Sequence, residues 1–434
     1  MILTDEMKKA IELIETTNQP IYITGKAGTG KTTLLRYIVQ NIKKKFVIAA
    51  PTGVAAVNAG GVTLHSLFTI PFGIQDPNQN IQSGFKPYRK KLICSIDALI
   101  IDEISMVKAD TIDYIDQKLR LYRNNDEPFG GIQVIMFGDL YQLPPVLKGS
   151  EKNILLQFYR GPYFFYAHVF KSFGFQIIEL NHVFRQSDER FIKILNHIRS
   201  YRITEEDIEE LEQIRNRKIS EDYNNQYVHI CSLKRDVQRI NQEMLGVPTH
   251  SFMAEVNGSF DIKHAPCDEL LLLRVGARVM VLINDQHQVY VNGSLGNVVA
   301  ITDDTVTVLL DNGCKVAFER HEWDMNDYQM KGEKIEKISK GTCKQFPLTL
   351  AWAITIHKSQ GLTFDHVAIH SKSVFTSGQI YVALSRCTSL EGIATDSFIG
   401  PKHIWPDKQL IAFEKAYKEN NYFFDKKAYR LMKA

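Results

Sequence analysis

The segment Gly25-Lys-Ala-Gly-Thr-Gly-Lys31-Thr32 constrains the fold of this chain more than any other stretch. It matches the phosphate-loop pattern G-x-x-x-x-G-K-[ST], and it lies between an apolar run at 21–24 and a helical stretch at 34–42. Glycines let backbone N–H groups surround phosphate oxygens, and the amino terminus of the following helix favours negative charge. The segment therefore predicts an α/β fold with a phosphate site between its first strand and the next helix.

Each residue type in this loop has an expected task. Lys31 is expected to reach the β- and γ-phosphates of a nucleotide, and Thr32 to bind magnesium. The remaining nucleotide contacts are expected from Gly25, Ala27, Gly28, Thr29, Gly30 and Thr33. A chance glycine-rich turn is the alternative interpretation, and the flanking strand and helix argue against it.

Short apolar runs alternate with helical stretches from Pro20 onward, which is typical of a parallel sheet. Thr4 is the expected N-cap of a first helix. Predicted strands are 21–24, 46–50, 98–102, 133–138, 176–180 and 227–231. Between 270 and 318 the pattern changes to short strands with turn residues, and the runs 279–283, 298–301, 306–310 and 315–318 predict a small antiparallel barrel.

These changes of pattern predict two α/β domains, each carrying an insertion. The first is expected at 1–69 and 93–181 with an insertion at 70–92. The second is expected at 182–268 and 345–434, with the barrel at 269–344. Because strands alternate with helices in both, parallel sheets are expected in both.

Composition supports a globular chain with little net charge. Hydrophobic residues make up 44% of it, and 52 Lys and Arg against 49 Asp and Glu give a net charge of +3, so any nucleic-acid surface must be a local patch. The six cysteines form no Cys-x-x-Cys pair, which favours reduced thiols. No signal peptide is evident, and no apolar run reaches the ~18 residues of a membrane span. We therefore expect a cytoplasmic protein of bacterial or phage origin without a membrane partner.

Two further strand ends carry polar side chains. Asp102 and Glu103 follow the apolar run 98–101, where Asp102 is expected to hold magnesium and Glu103 to orient the attacking water. Gln142 follows the run 133–138 and is expected to sense a γ-phosphate without adding charge. Paired acids alone are commonly a solvated strand end, so the catalytic interpretation depends on the phosphate loop upstream.

Four further stretches carry distinctive patterns. They are Glu127-Pro-Phe-Gly-Gly-Ile-Gln133, Leu180-Asn-His-Val-Phe-Arg185-Gln-Ser-Asp188, Ala353-Ile-Thr-Ile-His-Lys-Ser-Gln-Gly361 and Tyr381-Val-Ala-Leu-Ser-Arg386. Together with the phosphate loop and the strand ends, they resemble the Pif helicases, the petite-integration-frequency family of superfamily 1 helicases. The first stretch is the most specific, the second is the next, and the last two resemble motifs of the family's second domain. The resemblance extends from about Thr4 to Gly400.

The resemblance implies two RecA-like P-loop domains with ATP and Mg²⁺ in the cleft between them. It makes Arg185 and Arg386 arginine fingers presented by the second domain, and Gly361 a further nucleotide contact. It also makes the barrel a Src-homology-like one. Related helicases often carry a glutamine in the first helix, where this chain has Met7, so Gln19 is expected to contact the base instead, with an exposed turn residue as the alternative.

The resemblance further implies a track for single-stranded DNA, in which hydroxyl residues bind phosphates and aromatic rings stack on bases. The residues expected to form it are Pro51, Thr52, Gly53, Thr63, His65, Phe68, Thr355, His357, Lys358 and Ser359. Core packing is the alternative for Phe68, and a hydrogen-bonded structural role is the alternative for both histidines. The basic run from Lys86 to Lys91 is either a solvated loop or a wedge that guides DNA at the fork.

These observations favour an ATP-dependent DNA helicase. By resemblance it moves 5′-to-3′ on single-stranded DNA, unwinds tailed duplexes, acts on G-quadruplex structures, and serves DNA repair, recombination and telomere maintenance. We expect a monomer in solution. Two alternatives stay open: a DNA-stimulated translocase that does not separate strands, and a DNA-binding module that uses ATP as a switch.

Overall fold

The computed structural model describes residues 3–71, 73–79, 81, 87–147, 151–185, 188–215, 217, 227–258, 260, 262, 265–285, 287, 289–331, 334–374 and 376–423. For residues 54, 87, 88, 325–331, 334–340 and 373 only the backbone is considered. The chain folds into two units. Unit 1 contains residues 1–185, 326–338 and the chain from 406 onward, and unit 2 contains residues 186–325 and 339–405.

Unit 1 begins as an alternation of helices and strands. Its elements are α1 (Asp5–Thr16), β1 (Ile21–Gly25), α2 (Lys31–Asn41), β2 (Phe46–Ala50), α3 (Gly53–Ala59), β3 (Val62–Thr63), α4 (Leu64–Phe68), α5 (Pro87–Ser95), β4 (Ala98–Ile101), α6 (Ala109–Arg123), β5 (Gln133–Phe137), α7 (Glu151–Phe158), α8 (Val169–Ser172) and β6 (Phe175–Leu180). The strands pair in parallel in the order β6-β1-β5-β4-β2-β3. Their carboxyl ends therefore meet at one edge of the sheet.

Local sequence signals account for these elements. Thr4 caps α1 by accepting the backbone N–H of Met7 at 3.4 Å, and the buried residues Met7, Ala10 and Ile14 lie on one face of that helix. All residues of β1 are buried, as is typical of an inner strand of a parallel sheet. The predicted strands 21–24, 46–50, 98–102, 133–138 and 176–180 all appear in this sheet, within one residue of the predicted ends.

Unit 2 combines a parallel sheet with antiparallel ones. Its elements are α9 (Glu189–Arg199), α10 (Glu205–Arg215), β7 (Val228–Cys231), α11 (Lys234–Leu245), β8 (His250–Met253), β9 (Glu255–Gly258), β10 (Leu270–Leu273), β11 (Arg278–Val281), β12 (Leu295–Ile301), β13 (Val306–Leu310), β14 (Lys315–Phe318), β15 (His321–Lys331), β16 (Lys334–Gln345), β17 (Leu348–Leu350), β18 (Ala353–Thr355), α12 (Ile356–Ser359), β19 (Val367–His370), α13 (Gln379–Leu384) and β20 (Ile393–Thr395). Strands β15 and β16 belong to unit 2 only outside residues 326–338, which are assigned to unit 1.

The parallel sheet of unit 2 has the order β18-β7-β19-β20, and a five-stranded antiparallel sheet has the order β14-β13-β12-β11-β17. Both sheets share one apolar core, in which Val279 and Val308 of the antiparallel sheet pack with Ile240 of α11 and Trp352. The antiparallel strands predicted from the turn pattern are present, and β17 adds a fifth strand beyond the predicted boundary at 344.

The chain then returns to unit 1 through α14 (Lys408–Tyr417) and β21 (Tyr422–Phe423). Strand β21 pairs antiparallel with β6, opposite Phe175 and Gln176, and completes a seven-stranded sheet. This differs from the predicted second domain, which extended to the end of the chain. Phe413 of α14 stacks on Phe165 with ring centroids 4.2 Å apart, so aromatic packing attaches the returning segment to the first sheet. Among the described helices, none combines the length and apolar character that crossing a bilayer requires.

Candidate active site and nucleic-acid interface

The phosphate loop connects β1 directly to α2. Gly28 and Gly30 have φ angles of +80° and +81°, which favour glycine because a Cβ atom makes this region costly. At Gly25 a Cβ atom would lie 2.7 Å from the carbonyl oxygen of Leu180 and 2.7 Å from Oγ1 of Thr29. The Thr29 hydroxyl is buried and donates to the carbonyl of Lys26 at 2.9 Å. The loop is therefore closed by its own hydrogen bonds, with α2 starting at Lys31.

Lys31 folds back on its own loop. Its Nζ donates to the backbone carbonyls of Gly25 at 2.7 Å and Lys26 at 2.9 Å. The N–H groups that donate to these carbonyls are the ones expected to donate to phosphate oxygens when nucleotide binds. The amine is therefore already held beside the loop. Thr32 and Thr33 are exposed in the first turn of α2, and Ala27 is buried.

The segment after β6 lies against the phosphate loop. The backbone N–H of Phe184 donates to the carbonyl of Gly28 at 2.8 Å, and the Phe184 ring approaches Gly30. Arg185 follows, half-buried, as the last residue of this part of unit 1. This corrects the expectation that the second domain presents Arg185: the contact through Phe184 places it on the unit that holds the phosphate loop.

The two predicted carboxylates lie at the end of β4. Asp102 is half-buried, and its Oδ1 accepts the backbone N–H of Glu103 at 2.9 Å. Burial raises the pKa of Asp102 to about 6, while that hydrogen bond and the positive charges of Lys31 and Arg36 act in the opposite direction. Glu103 has the left-handed backbone angles φ +51° and ψ +45°, which are uncommon for a residue with a side chain.

Gln142 ends a tight turn after β5. Its backbone N–H donates to the carbonyl of Asp139 at 3.0 Å, and the carboxylate of Asp139 accepts the N–H of Tyr141 at 3.2 Å. Gln142 is only 6% exposed, and Asp139 is fully buried. The role of Asp139 in this turn escaped the sequence analysis, although a Gly-Asp pair just after a strand is a recognisable turn signal.

Strand order brings these groups to one place. β5 pairs with β1 on one side and with β4 on the other, at spacings of ~4.8 Å. The turn with Gln142 therefore starts between the phosphate loop and the carboxylates. A Cβ atom on Gly138 would lie 3.0 Å from Cγ2 of Ile104, so the end of β5 packs directly on the turn after Glu103.

The residues at this edge fit a magnesium ion. Magnesium prefers oxygen ligands and is commonly bound by one or two protein groups together with phosphate oxygens. Asp102 supplies a carboxylate whose charge burial disfavours, and a cation beside it would stabilise that charge. Thr32 supplies a hydroxyl in the first turn of the helix that follows the phosphate loop.

Two residues predicted to contact the nucleotide do not lie at this edge of the unit 1 sheet. Gln19 is exposed at the amino-terminal end of β1, and the five residues of that strand separate it from the loop by roughly 16 Å. Its backbone carbonyl instead accepts the side-chain amide of Gln133 at 3.1 Å. Gly361 belongs to unit 2, where it is exposed after α12 with a φ of +84°.

Threonines expected to bind DNA phosphates cap short helices. β2 and β3 pair in parallel, with Ala50 opposite Thr63, so Pro51, Thr52 and Gly53 follow the strand beside Thr63. Thr52 accepts the N–H of Ala55 at 3.2 Å, and Thr63 accepts the N–H of Ser66 at 3.1 Å. A capping hydroxyl keeps its own hydrogen free to donate, which suits a phosphate oxygen. His65 is half-buried on α4.

Phe68 does not fit the expected stacking role. Its side chain is 0% exposed, and no other residue predicted for this track in unit 1 is buried. A base stacks on an accessible ring face, so a fully buried ring cannot serve this purpose. The core-packing alternative is the correct one for Phe68.

In unit 2 the predicted residues lie at the start of α12. Thr355 caps this helix by accepting the N–H of Lys358 at 3.1 Å, and Lys358 is exposed. Burial, reinforced by the charge of Lys234, lowers the pKa of the half-buried His357 and so favours its neutral form. Ser359 is 0% exposed and donates to the carbonyl of Ile356 at 2.8 Å, so its side chain is not available to DNA.

The basic run contains a structural arginine. Arg89 is 6% exposed, and its Nη1 donates to the carbonyls of Ser66 at 2.5 Å and Leu67 at 3.3 Å and to Oγ1 of Thr69 at 2.8 Å. It thus binds the carboxyl end of α4. Lys90 and Lys91 are exposed, and Lys86 lies outside the described residues.

We expect Arg89→Ala to lower the free energy of unfolding by about 1.5–3 kcal/mol, because it leaves carbonyls at the end of α4 without a charged donor. Urea denaturation with a probe for unit 1 measures this change. The double variant Lys90→Ser/Lys91→Ser is the matched control and should unfold at the wild-type midpoint. An unchanged midpoint for Arg89→Ala would contradict the structural role.

Arg386 is held inside unit 2. It is 1% exposed, and its Nε donates to the carbonyl of Val382 at 2.9 Å. Nη1 donates to the carbonyls of Ser359 and Leu362, each at 3.4 Å, and Nη2 donates to Oγ of Ser385 at 2.9 Å. The guanidinium therefore joins the loop after α12 to the end of α13, in addition to any part in hydrolysis.

We expect Arg386→Ala to lower kcat for ATP hydrolysis by at least ~10³-fold while nucleotide still binds, because an arginine finger acts on transition-state charge. The variant should also unfold at a lower temperature, since it removes donors from buried carbonyls. Phosphate release, binding of a fluorescent ATP analogue and thermal unfolding measure the three quantities.

Arg217→Ala provides the matched control for Arg386. Nη1 of Arg217 also donates to three carbonyls of unit 2, those of Leu390, Glu391 and Ile393. Its loss should lower the unfolding temperature but preserve kcat. Normal turnover by Arg386→Ala would remove Arg386 from the hydrolytic groups.

Comparison with known proteins extends this description. A family model described as PIF1-like helicase matches residues 2–220, and one described as viral superfamily 1 RNA helicase core domain matches residues 283–394. The chain is 37% identical over 411 residues to the ATP-dependent DNA helicase PIF1 of Danio rerio, an alignment that covers 92% of this chain and 62% of that protein. The chain thus spans less than two thirds of the length of this relative.

Solved structures of a bacterial relative match over nearly the whole length. Pif1 from Bacteroides sp in complex with ADP-AlF4 is 51% identical, with a TM-score of 0.92 and coverage of 98% of this chain and 99% of that one. The Bacteroides protein in complex with ADP-AlF3 and single-stranded DNA is 52% identical at the same coverage, with a TM-score of 0.76. Because the family model spans about half of the chain and the Bacteroides likeness covers the rest, this chain belongs to the PIF1-like helicase family.

Proposed function

We propose that this chain is an ATP-dependent DNA helicase whose phosphate-binding, magnesium-binding and water-orienting groups lie at the carboxyl edge of the unit 1 sheet. The observation that carries this proposal is the order β1-β5-β4, in which three adjacent parallel strands each end in one polar element. These elements are the phosphate loop, the turn with Gln142, and the pair Asp102 and Glu103. A phosphate cradle, a cation ligand and a carboxylate for the attacking water are the parts that ATP hydrolysis requires.

The residues act on different parts of the substrate. Lys31 binds the β- and γ-phosphates, Thr32 and Asp102 would hold Mg²⁺, and Glu103 accepts a proton from the attacking water and orients it. When bound, Mg²⁺ would neutralise part of the negative charge of the phosphates. Gln142 senses the γ-phosphate, and Arg185 and Arg386 stabilise negative charge as the terminal phosphoryl group is transferred.

Single-stranded DNA is the proposed polymer substrate. The binding groups are Pro51, Thr52, Gly53, Thr63 and His65 of unit 1 together with Thr355, His357 and Lys358 of unit 2. Support comes from the capping threonines Thr52 and Thr63, which are partly exposed, and from the Bacteroides relative in complex with single-stranded DNA. We further propose two RecA-like domains, a Src-homology-like barrel made by the five-stranded sheet, 5′-to-3′ movement, activity on G-quadruplexes, and a monomeric enzyme.

The test compares unwinding of duplexes that carry a 5′ or a 3′ single-stranded tail, in ATP and magnesium, with ATP consumption followed in the same reactions. Each base pair separated costs on the order of 1.4 kcal/mol of stacking, so unwinding must depend on turnover. We expect the 5′-tailed duplex alone to be unwound. A 5′-tailed G-quadruplex measures the proposed activity on that structure.

The other outcomes identify the two rival functions. Strand-stimulated ATP consumption without unwinding of either duplex would indicate a translocase that does not separate strands. Nucleotide-dependent DNA binding without steady turnover would indicate a binding switch. Unwinding of the 3′-tailed duplex alone would reverse the proposed direction while preserving the helicase assignment.

A further inference from the structure

The returning helix α14 reaches the turn that carries Gln142. The hydroxyl of Tyr141 donates to a carboxylate oxygen, Oε2, of Glu414 on α14. Tyr141 is buried and directly precedes Gln142 in the chain, and its own N–H is bonded to the carboxylate of Asp139. The bonds that hold the turn thus include two internal hydrogen bonds and a side-chain bond to a segment 273 residues later in sequence.

Helix α14 has other attachments that do not involve this turn. The hydroxyl of Tyr163 donates to Oδ2 of Asp407 at 2.5 Å, and Asp407 also caps α14 by accepting the N–H of Gln409 at 2.8 Å. Phe413 stacks on Phe165, and β21 continues the sheet beyond β6. Because these attachments do not depend on Glu414, we expect α14 to stay in place when the bond between Tyr141 and Glu414 is lost, while the turn loses this support.

We propose that Glu414 is a positioning residue for ATP hydrolysis, which holds Tyr141 and thereby the turn that presents Gln142. This inference rests on the proposed role of Gln142 as the group that senses the γ-phosphate. A buried tyrosine hydroxyl takes a hydrogen-bond partner, and the carboxylate of Glu414 makes that bond charge-assisted. Gln142 is itself almost fully buried, so a small rotation of its turn would change where its amide lies.

The charge of Glu414 has a second partner. Lys418, one helical turn later, lies 2.9 Å from Oε1 of Glu414, and both side chains reach solvent. Removing the hydroxyl of Tyr141 therefore leaves no carboxylate stranded without a partner. For this reason Tyr141→Phe tests the position of the turn with little change in electrostatics.

The test uses the full chain with a saturating single-stranded oligonucleotide, and it measures kcat and KM for ATP together with the unfolding temperature. We expect Tyr141→Phe and Glu414→Ala each to lower kcat by about three- to tenfold, the value of one hydrogen bond, with little change in KM. Glu414→Gln retains an acceptor oxygen for Tyr141 and should recover most of the wild-type kcat. The double variant Tyr141→Phe/Glu414→Ala should be no slower than the slower single variant.

Tyr163→Phe is the matched control, because it removes a second tyrosine–carboxylate bond, made to the N-cap of α14 seven residues before Glu414. It should lower the unfolding temperature about as much as Tyr141→Phe but leave kcat unchanged. Equal loss of kcat in Tyr163→Phe, or wild-type kcat in both Tyr141→Phe and Glu414→Ala, overturns the inference.

Gln142→Ala in the same assay separates this inference from the function on which it rests. Slow turnover by Gln142→Ala with normal turnover by Tyr141→Phe rejects only the positioning role of Glu414. Normal turnover by Gln142→Ala rejects the proposed role of Gln142 and this inference with it. Slow turnover by all three variants, with rescue by Glu414→Gln, supports both.

Discussion

Replacing Lys31 by alanine is expected to abolish ATP turnover while unit 1 stays folded. In the structure Nζ of Lys31 donates to the carbonyls of Gly25 and Lys26, so the amine already lies along the phosphate loop. Phosphate oxygens carry full negative charge and are stronger acceptors than these carbonyls. Loss of a preorganised donor at the transferring group lowers kcat by at least ~10²-fold.

Three measurements on Lys31→Ala check this expectation: phosphate release with single-stranded DNA present, affinity for ATP, and the unfolding temperature. Lys171→Ala, an exposed lysine on α8 of the same unit, is the control for general loss of positive charge. A small fall in unfolding temperature is expected, because two hydrogen bonds of the loop are lost. Turnover within tenfold of the wild type would mean that Lys31 is not the phosphate-binding amine.

Features that depend on neighbouring residues were predictable from sequence. The phosphate loop, the strand ends before Asp102 and Gln142, and the cap at Thr4 all arise from backbone hydrogen bonds and burial patterns within a few residues. Parallel strands place their carboxyl ends at one edge. The structure then supplied the strand order, in which β5 lies between β1, which leads into the phosphate loop, and β4, which leads into Asp102 and Glu103.

Features that depend on distant parts of the chain were not predictable in this way. Pairing of β21 with β6 and the bond between Tyr141 and Glu414 join segments with no local pattern in common. Phe413 and Tyr417 lie one turn apart on α14 and are both buried. Their spacing indicates an apolar helix face that packs on another element, but it does not identify that element. The returning segment was therefore assigned to the preceding domain.

Single residues of ambiguous type account for the other differences. A phenylalanine in a short helix suits a core or a base equally well, and only the burial of Phe68 decided between them. Arg89 directly precedes the exposed Lys90 and Lys91, yet its planar guanidinium can donate to several carbonyls at once and binds the end of α4. Composition alone does not separate these cases, because they differ in three-dimensional neighbours.

The conformation of Glu103 leads to the second prediction of large effect. Its φ of +51° places a residue with a side chain in the left-handed region, at a cost on the order of 1–3 kcal/mol. The turn is held by the bond from its own N–H to Asp102 at 2.9 Å and from the N–H of Met106 to its carbonyl at 3.1 Å. Strain at this position suits a functional residue, since a glycine would adopt the same backbone more readily.

Glu103→Gln is expected to lower kcat for ATP hydrolysis by about 10²–10⁴-fold while ATP affinity and unfolding temperature stay near wild type. The amide has the size of the carboxylate but cannot accept a proton from the attacking water. Single-turnover phosphate release separates the chemical step from binding, and Glu12→Gln, an exposed residue of α1, is the control.

Glu103→Gly distinguishes a catalytic from a structural role for the same side chain. If the side chain serves hydrolysis and the turn is strained, Glu103→Gly should be as slow as Glu103→Gln and yet unfold at or above the wild-type temperature, because glycine relieves the left-handed conformation. A fall of several degrees in the glycine variant would instead mean that the carboxylate holds the turn. Normal turnover in Glu103→Gln would move the task of orienting water to another group at this edge of the sheet.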